Sequence, residues 1–206
     1  MTTNRQRAGQ GVIDDARRIR VLGSPVRTEL ATTLQALGGA ATVAELAQRL
    51  GRSADGLYYH LRAMLVAGLL REQSGAGGRR FSLATPGGQR VRLRYKPGAT
   101  ANARAVARVA ASASRLAQRD FARALRRPGT SVDGPSRELW MARLTGWVDA
   151  SELEEINRLL QRLSDLLAAA RPTKSGKLIA LHWILAPIDA KPVRRQRAGS
   201  AAGRRI

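Results

Sequence analysis

Between positions 52 and 62 the chain gathers Arg52, Ser53, Ala54, Asp55, Tyr58, Tyr59, His60 and Arg62, and Arg79 and Arg80 follow at the end of a Gly-rich stretch. Side chains of these types suit reversible recognition of a polyanion better than bond making. Ser53 ahead of a helix leaves the first backbone N–H groups free to hold a phosphate, and Arg52 adds charge there. Arg62 suits a guanine edge or a phosphate; Asp55 either stabilises the helix start or accepts from cytosine. Tyr58 and Tyr59 are neighbours and diverge by about 100° around a helix. One is therefore expected at the nucleic-acid backbone or a thymine methyl, the other toward the core or a neighbouring helix. His60 has no carboxylate or nucleophile beside it in sequence, so it reads as a structural residue or a phosphate contact. Arg79 and Arg80 either enter a narrow minor groove or stay solvated.

Catalytic alternatives find little support. There is no Cys, and the two His, His60 and His182, are too isolated to complete a tetrahedral metal site. No Gly-rich phosphate loop, paired-carboxylate site or nucleophile elbow is visible, so neither enzyme activity nor a cofactor or metal is expected. Thirty-six Lys and Arg against fifteen Asp and Glu give a net charge of +21 and an isoelectric point near 11.8. Such a balance favours nucleic acid first and an anionic membrane second. A membrane partner is not expected, because no segment is both strongly basic and amphipathic. The longest nearly apolar run, 178–188, is far short of the roughly 20 residues that span a bilayer. No secretory signal is read at the start, and the expected location is the cytoplasm, at the nucleoid. Only eight aromatic residues argue against a stacking surface for single strands. The arginine preference also fits a coding bias, which leaves the shortage of acids unexplained.

Positioning falls to a run of short helices. Residues 13–22 suit a first helix, closed by Gly23. Ser24 and Pro25 open a second, with Val26, Leu30, Leu34 and Leu37 as its apolar stripe and Gly38 and Gly39 at its end. Thr42 and Glu45 fit a capping box for a third helix that turns Val43, Leu46, Ala47 and Leu50 inward. After Gly51 and Arg52, Ser53 caps a fourth helix running to about Ala67, with Leu57, Leu61, Met64 and Leu65 buried. Two short helices joined by a three-residue turn are a helix-turn-helix signature. Residues 69–73 and 80–85 then flank a Gly-rich loop as a hairpin, a candidate wing. Residues 90–96 alternate, with Val91, Leu93 and Tyr95 facing a core.

Residues 51–85, GRSADGLYYHLRAMLVAGLLREQSGAGGRRFSLAT, preceded by SPVRTEL and AELAQRLGRS, resemble the ArsR-type winged helix-turn-helix transcriptional regulators. The resemblance covers about residues 14–96 and depends on the elements occurring in this order. It implies a DNA-binding regulator acting as a homodimer on a two-fold symmetric operator. The chain departs from the metal-sensing branch, which uses clusters of Cys, His or Asp.

The second half is expected to serve assembly, with a small-molecule effector as a further possibility. Residues 100–127 read as a long Ala-rich helix carrying Val106, Val109 and Leu116 on one side. Residues 139–148, with Trp140 and Trp147, suit a short strand, and Asp149 and Glu152 form a second capping box. The helix behind it carries Leu153, Ile156, Leu160, Leu163 and Leu167 on a heptad seam that packs either on a sheet of the same chain or across a dimer. Residues 178–185 read as a buried strand containing Trp183. The aromatic residues Phe121, Trp140, Trp147 and Trp183 either fill a core or line an effector pocket. The expected fold is mainly α with small β (α+β): an N-terminal winged helix-turn-helix domain, then a long helix and a β-α-β module. The expected divisions are an arm at 1–11, the DNA-binding domain at 12–97, the dimerisation module at 98–190 and a basic tail at 191–206. The leading functional reading is a sequence-selective double-stranded DNA regulator, acting as a repressor; the alternative is an architectural or nonspecific nucleic-acid binder.

Overall fold

A computed structural model of the chain describes residues 11–75, 78–85, 90–170 and 176–189. All of the expected arm but Gly11, the basic tail and part of the Gly-rich loop lie outside the described residues. Those described form an α+β fold of six helices and five strands.

The N-terminal elements follow local signals. β1 (Val12–Ile13) leads into α1 (Ala16–Leu22), where the Asp15 side chain accepts from the Arg17 N–H at 2.9 Å. α2 (Pro25–Ala36) starts with Pro in its first turn, where a missing N–H costs nothing. Gly38 and Gly39 then turn the chain with positive φ into β2 (Ala40–Thr42). α3 (Val43–Leu50) has both halves of the capping box: Thr42 Oγ1 accepts from the Glu45 N–H at 3.2 Å, and the Glu45 carboxylate accepts from the Thr42 N–H at 2.6 Å. Gly51 ends α3 in the left-handed region at φ +60°, which a residue with a Cβ enters only with strain. Ser53 then caps α4 (Ala54–Val66) through the Gly56 N–H.

β3 (Leu70–Gly75) and β4 (Gly78–Leu83) pair antiparallel, and β2 joins the other edge of β4, giving the order β2-β4-β3. This register sets Ala41 opposite Phe81 and Leu70 opposite Leu83, so one face of the sheet closes over the helices. Ile19, Leu30, Leu34, Leu46, Leu57, Leu61 and Met64 are buried beneath it. A side chain of this size contributes about 1.5–3 kcal/mol when fully buried.

α5 (Thr100–Leu125) lies against α1 and α2, with Ala105 buried and Val106 and Val109 packed on the same core. Asn102 fastens its first turn. The carboxamide nitrogen donates to the carbonyls of Asp14 and Arg94, both at 3.2 Å, and its oxygen accepts from the Lys96 N–H at 2.9 Å. One buried side chain thus satisfies backbone groups from three places in the chain.

Several expectations are corrected. The first helix starts at Ala16 because Val12 and Ile13 pair in parallel with β5 (Arg92–Leu93) instead. Only two residues of the alternating 90–96 run join that ladder. Beyond Leu93 the Lys96 N–H turns to Asn102, and Tyr95 stands 70% exposed where it was expected in the core. The larger correction concerns the β-α-β module. α6 (Ala150–Ala169) forms behind its capping box, with Asp149 Oδ1 accepting from the Glu152 N–H at 2.8 Å. Residues 139–148 and 178–185 form no strand, and their apolar side chains are exposed apart from a half-buried Leu139 and a half-buried Trp183. A strand is held by a ladder partner, and none of the five strands borders these segments.

Candidate nucleic-acid interface

α4 presents two faces of opposite character. Leu57, Leu61 and Met64 are buried and anchor it, while Asp55, Tyr58, Tyr59 and Arg62 stand in solvent on the other side. Ala54 is half-buried and packs toward the core. Neither tyrosine turns to the core, since Tyr58 is 42% and Tyr59 71% exposed. The core or a neighbouring helix was expected for one of them, and the two are distinguished by the cation each meets. The Arg79 guanidinium of β4 lies 5.7 Å from the Tyr58 ring centre, and that of Arg27 on α2 lies 5.9 Å from the Tyr59 ring. Tyr59 also meets the His60 imidazole edge to face at 5.3 Å. The exposed surface of α4 is therefore tied to the hairpin on one side and to α2 on the other.

Arg52, Ser53, Gly56 and His60 line a shallow, open depression of about 300 Å³ at the start of α4. Arg52 donates to Glu29 at 3.3 Å, and Arg119 of α5 reaches the other oxygen of the same carboxylate at 2.6 Å. Glu29, with a side chain only 14% exposed, thus clamps the turn before α4 to α2 and α5. Arg79 and Arg80 point to opposite faces of their strand. Arg79 pairs with Glu72 at 3.4 Å; Arg80 donates to the Ala40 carbonyl at 3.1 Å and lies 3.6 Å from Glu45. Arg80 is thereby committed to the base of the sheet, whereas Arg79 lies beside α4. Arg62 is the sole Lys or Arg within α4.

Arg27, Glu29 and Arg119 escape a reading of the sequence because their partners are distant along the chain. Arg18 belongs with them: its guanidinium donates to the carbonyls of Ala67 and Gly68 and fixes the far end of α4 to α1. Of the residues expected at a dimer contact, Val106 and Val109 pack on this chain's own core and Leu116 is half-buried. Ile156 and Leu160 are half-buried, and Leu153, Leu163 and Leu167 are exposed.

Burial lowers the His60 imidazolium's pKa below the usual histidine range, and the charges of Arg27 and Arg52 lower it further. The unfolded chain then binds a proton that the folded chain resists, so stability is complete above about pH 6.5 and declines as pH falls from there toward the folded value. The melting temperature is expected to drop between neutral pH and the mildly acidic range, and His60→Gln to flatten that drop. Identical profiles for the two proteins would remove His60 as the cause. Carboxylate contributions lie in a lower window: the Thr42 backbone N–H holds the Glu45 carboxyl below its ordinary range, so its share is lost only on stronger acidification.

Residues 22–73 match a family model described as a helix-turn-helix domain. The matched stretch runs from the end of α1 into β3 and includes α2, α3 and α4. No curated protein matches the chain. The match supports DNA as a partner and a part in the regulation of transcription. Among the described residues no helix is long and apolar enough to cross a membrane, and no group of His, Cys, Asp and Glu could hold a metal ion.

Proposed function

We propose that the chain is a sequence-selective, double-stranded DNA-binding transcriptional regulator of the ArsR-like winged helix-turn-helix type, acting as a homodimeric repressor in the cytoplasm. The observation that carries this reading is the solvent face of α4, a helix anchored by Leu57, Leu61 and Met64 beneath Tyr58, Tyr59 and Arg62. α4 enters the major groove with its first turns nearest the base edges. Ser53 and the free N–H groups beside it receive a phosphate, with His60 at the rim. Arg52 supports that contact through its pair with Glu29. Asp55 stabilises the helix start. The β3–β4 hairpin lies along the flanking backbone or minor groove, where Arg79 is the available cation and Arg80 the structural one. Repression follows from occupancy of promoter DNA, and no chemical step is required of the protein. The net charge of +21 supplies a salt-sensitive, sequence-independent part of the affinity.

Selection from random duplex oligonucleotides, followed by footprinting, tests this directly. The expected result is an enriched palindrome whose half-site centres lie about one helical turn apart. Uniform affinity for all duplexes would instead establish the architectural reading, which the charge alone would support.

A further inference from the structure

Residues 139–188 differ in kind from the rest of the chain. They contain six basic and five acidic residues, net +1, while all other positions together carry +20. The described residues among them, 139–170 and 176–188, also expose an unusual amount of apolar surface: Leu144 is 91% and Trp147 90% exposed, with Trp140, Met141, Ile184 and Ile188 also well exposed. α6 lies between two such segments with no buried residue of its own, although its seam leucines form one continuous side. A full tryptophan offers about 150–250 Å², so the exposed apolar area here is on the order of 1,000 Å² or more. Summed in this way, it reaches the roughly 800 Å² that a standard interface takes from each partner.

We propose that residues 139–170 and 176–188 are a self-association surface whose helix and strand layer closes only when a second copy of this chain supplies the other half. This deepens the homodimer part of the proposed function and is independent of its DNA part. Lys177 donates to the Glu138 carboxylate, which brings together the points where the two irregular segments begin, on either side of α6. Segments gathered in this way lack ladder partners among the described residues and are rich in residues that favour strands. A two-fold partner provides both a pairing edge and a matching apolar face, because an isologous interface meets the same patch on the other subunit. Charge favours a second copy over other occupants. Copies of a strongly cationic chain repel one another almost everywhere, and this stretch, near neutral in its own residues although the Arg137 and Arg90 guanidiniums lie 4.0 Å and 5.8 Å from the Trp140 and Trp183 rings, is where they can meet. A lipid surface is disfavoured because Asp149, Glu152, Glu154 and Glu155 place acids at the start of α6, where an anionic membrane would demand cations. Pairing here would leave the basic N-terminal half free for DNA.

The test uses the full chain and two substitutions, Leu163→Glu and Ile184→Glu. Each replaces a residue exposed within a single copy, so the melting of the N-terminal core serves as a control for folding. Sedimentation equilibrium across the micromolar range is expected to show a dimer, with either substitution raising the dissociation constant at least about tenfold, because a charge would be buried without a partner. Amide exchange over 139–148 and 178–188 is expected to be slow in the dimer and fast in both variants. A wild-type chain that stays monomeric throughout this range, including one that instead binds anionic lipid vesicles, overturns the proposal. So does a dimer whose affinity survives both substitutions. Duplex-DNA binding by the same samples is scored separately, so that a protein that dimerises without binding DNA contradicts the DNA reading and leaves this one standing.

Discussion

Arg62→Ala is expected to weaken binding to the selected duplex by about 1–3 kcal/mol, roughly tenfold to a hundredfold, while affinity for unrelated duplex falls only slightly. Arg62 is the one cation that α4 carries on its solvent face. Arg52, Arg79 and Arg80 all share their charge with a nearby carboxylate, which lowers what each can give a nucleic acid. Competition binding of wild type and variant against matched and scrambled duplexes measures the ratio directly. A loss of equal size on both, with the salt slope lower by about 1, would move Arg62 from a base edge to a phosphate. Unchanged affinity on both would contradict placing α4 in the groove.

Glu29→Ala is expected to destabilise the fold by about 2 kcal/mol. Removing one partner of a fully buried pair costs about 3–5 kcal/mol, and the partial exposure of Arg52 and Arg119 reduces that figure by screening. In a chain of this size the loss lowers the melting temperature by roughly 4–8 °C. Glu29→Gln keeps an acceptor for one guanidinium and is expected to lose less. The two readouts should diverge: stability falls, while low-salt affinity for nonspecific duplex rises because Arg52 is released and a negative charge is gone. Thermal melts beside salt-dependent binding curves separate these effects. Wild-type stability in both variants would show that the clamp between α2, the turn before α4 and α5 is not needed to hold that turn.

Legibility in the sequence tracked the range of the interactions concerned. Thr42 with Glu45 and Asp149 with Glu152 are capping boxes closed over three residues, and each helix starts where its box predicts. The buried side of α4 likewise follows from 3.6-residue periodicity, so its opposite, solvent-facing side could be named in advance. What the tyrosines do there could not be, because Arg27 and Arg79 reach them from α2 and β4. Tyr95 was misjudged for a related reason: alternation marks a possible strand, but the ladder ends where Asn102 takes the Lys96 N–H. Residues 139–148 and 178–185 show the same limit on a larger scale, since their strand-like patterns find no pairing edge among the described residues.

By itself the sequence determined α2, α3 and α4 with their buried stripes, the caps of α3 and α4, the hairpin that follows them and the cationic character of the whole. Each of these depends on residues a few positions apart or on a simple count of charges. Only the tertiary structure decided which arginines are neutralised, that Glu29 and Asn102 hold distant segments together, and that the described residues leave the apolar segments flanking α6 uncovered. Those outcomes depend on which groups meet across tens of residues, where a hydrogen bond or ion pair forms only after the core has brought both partners within about 3 Å.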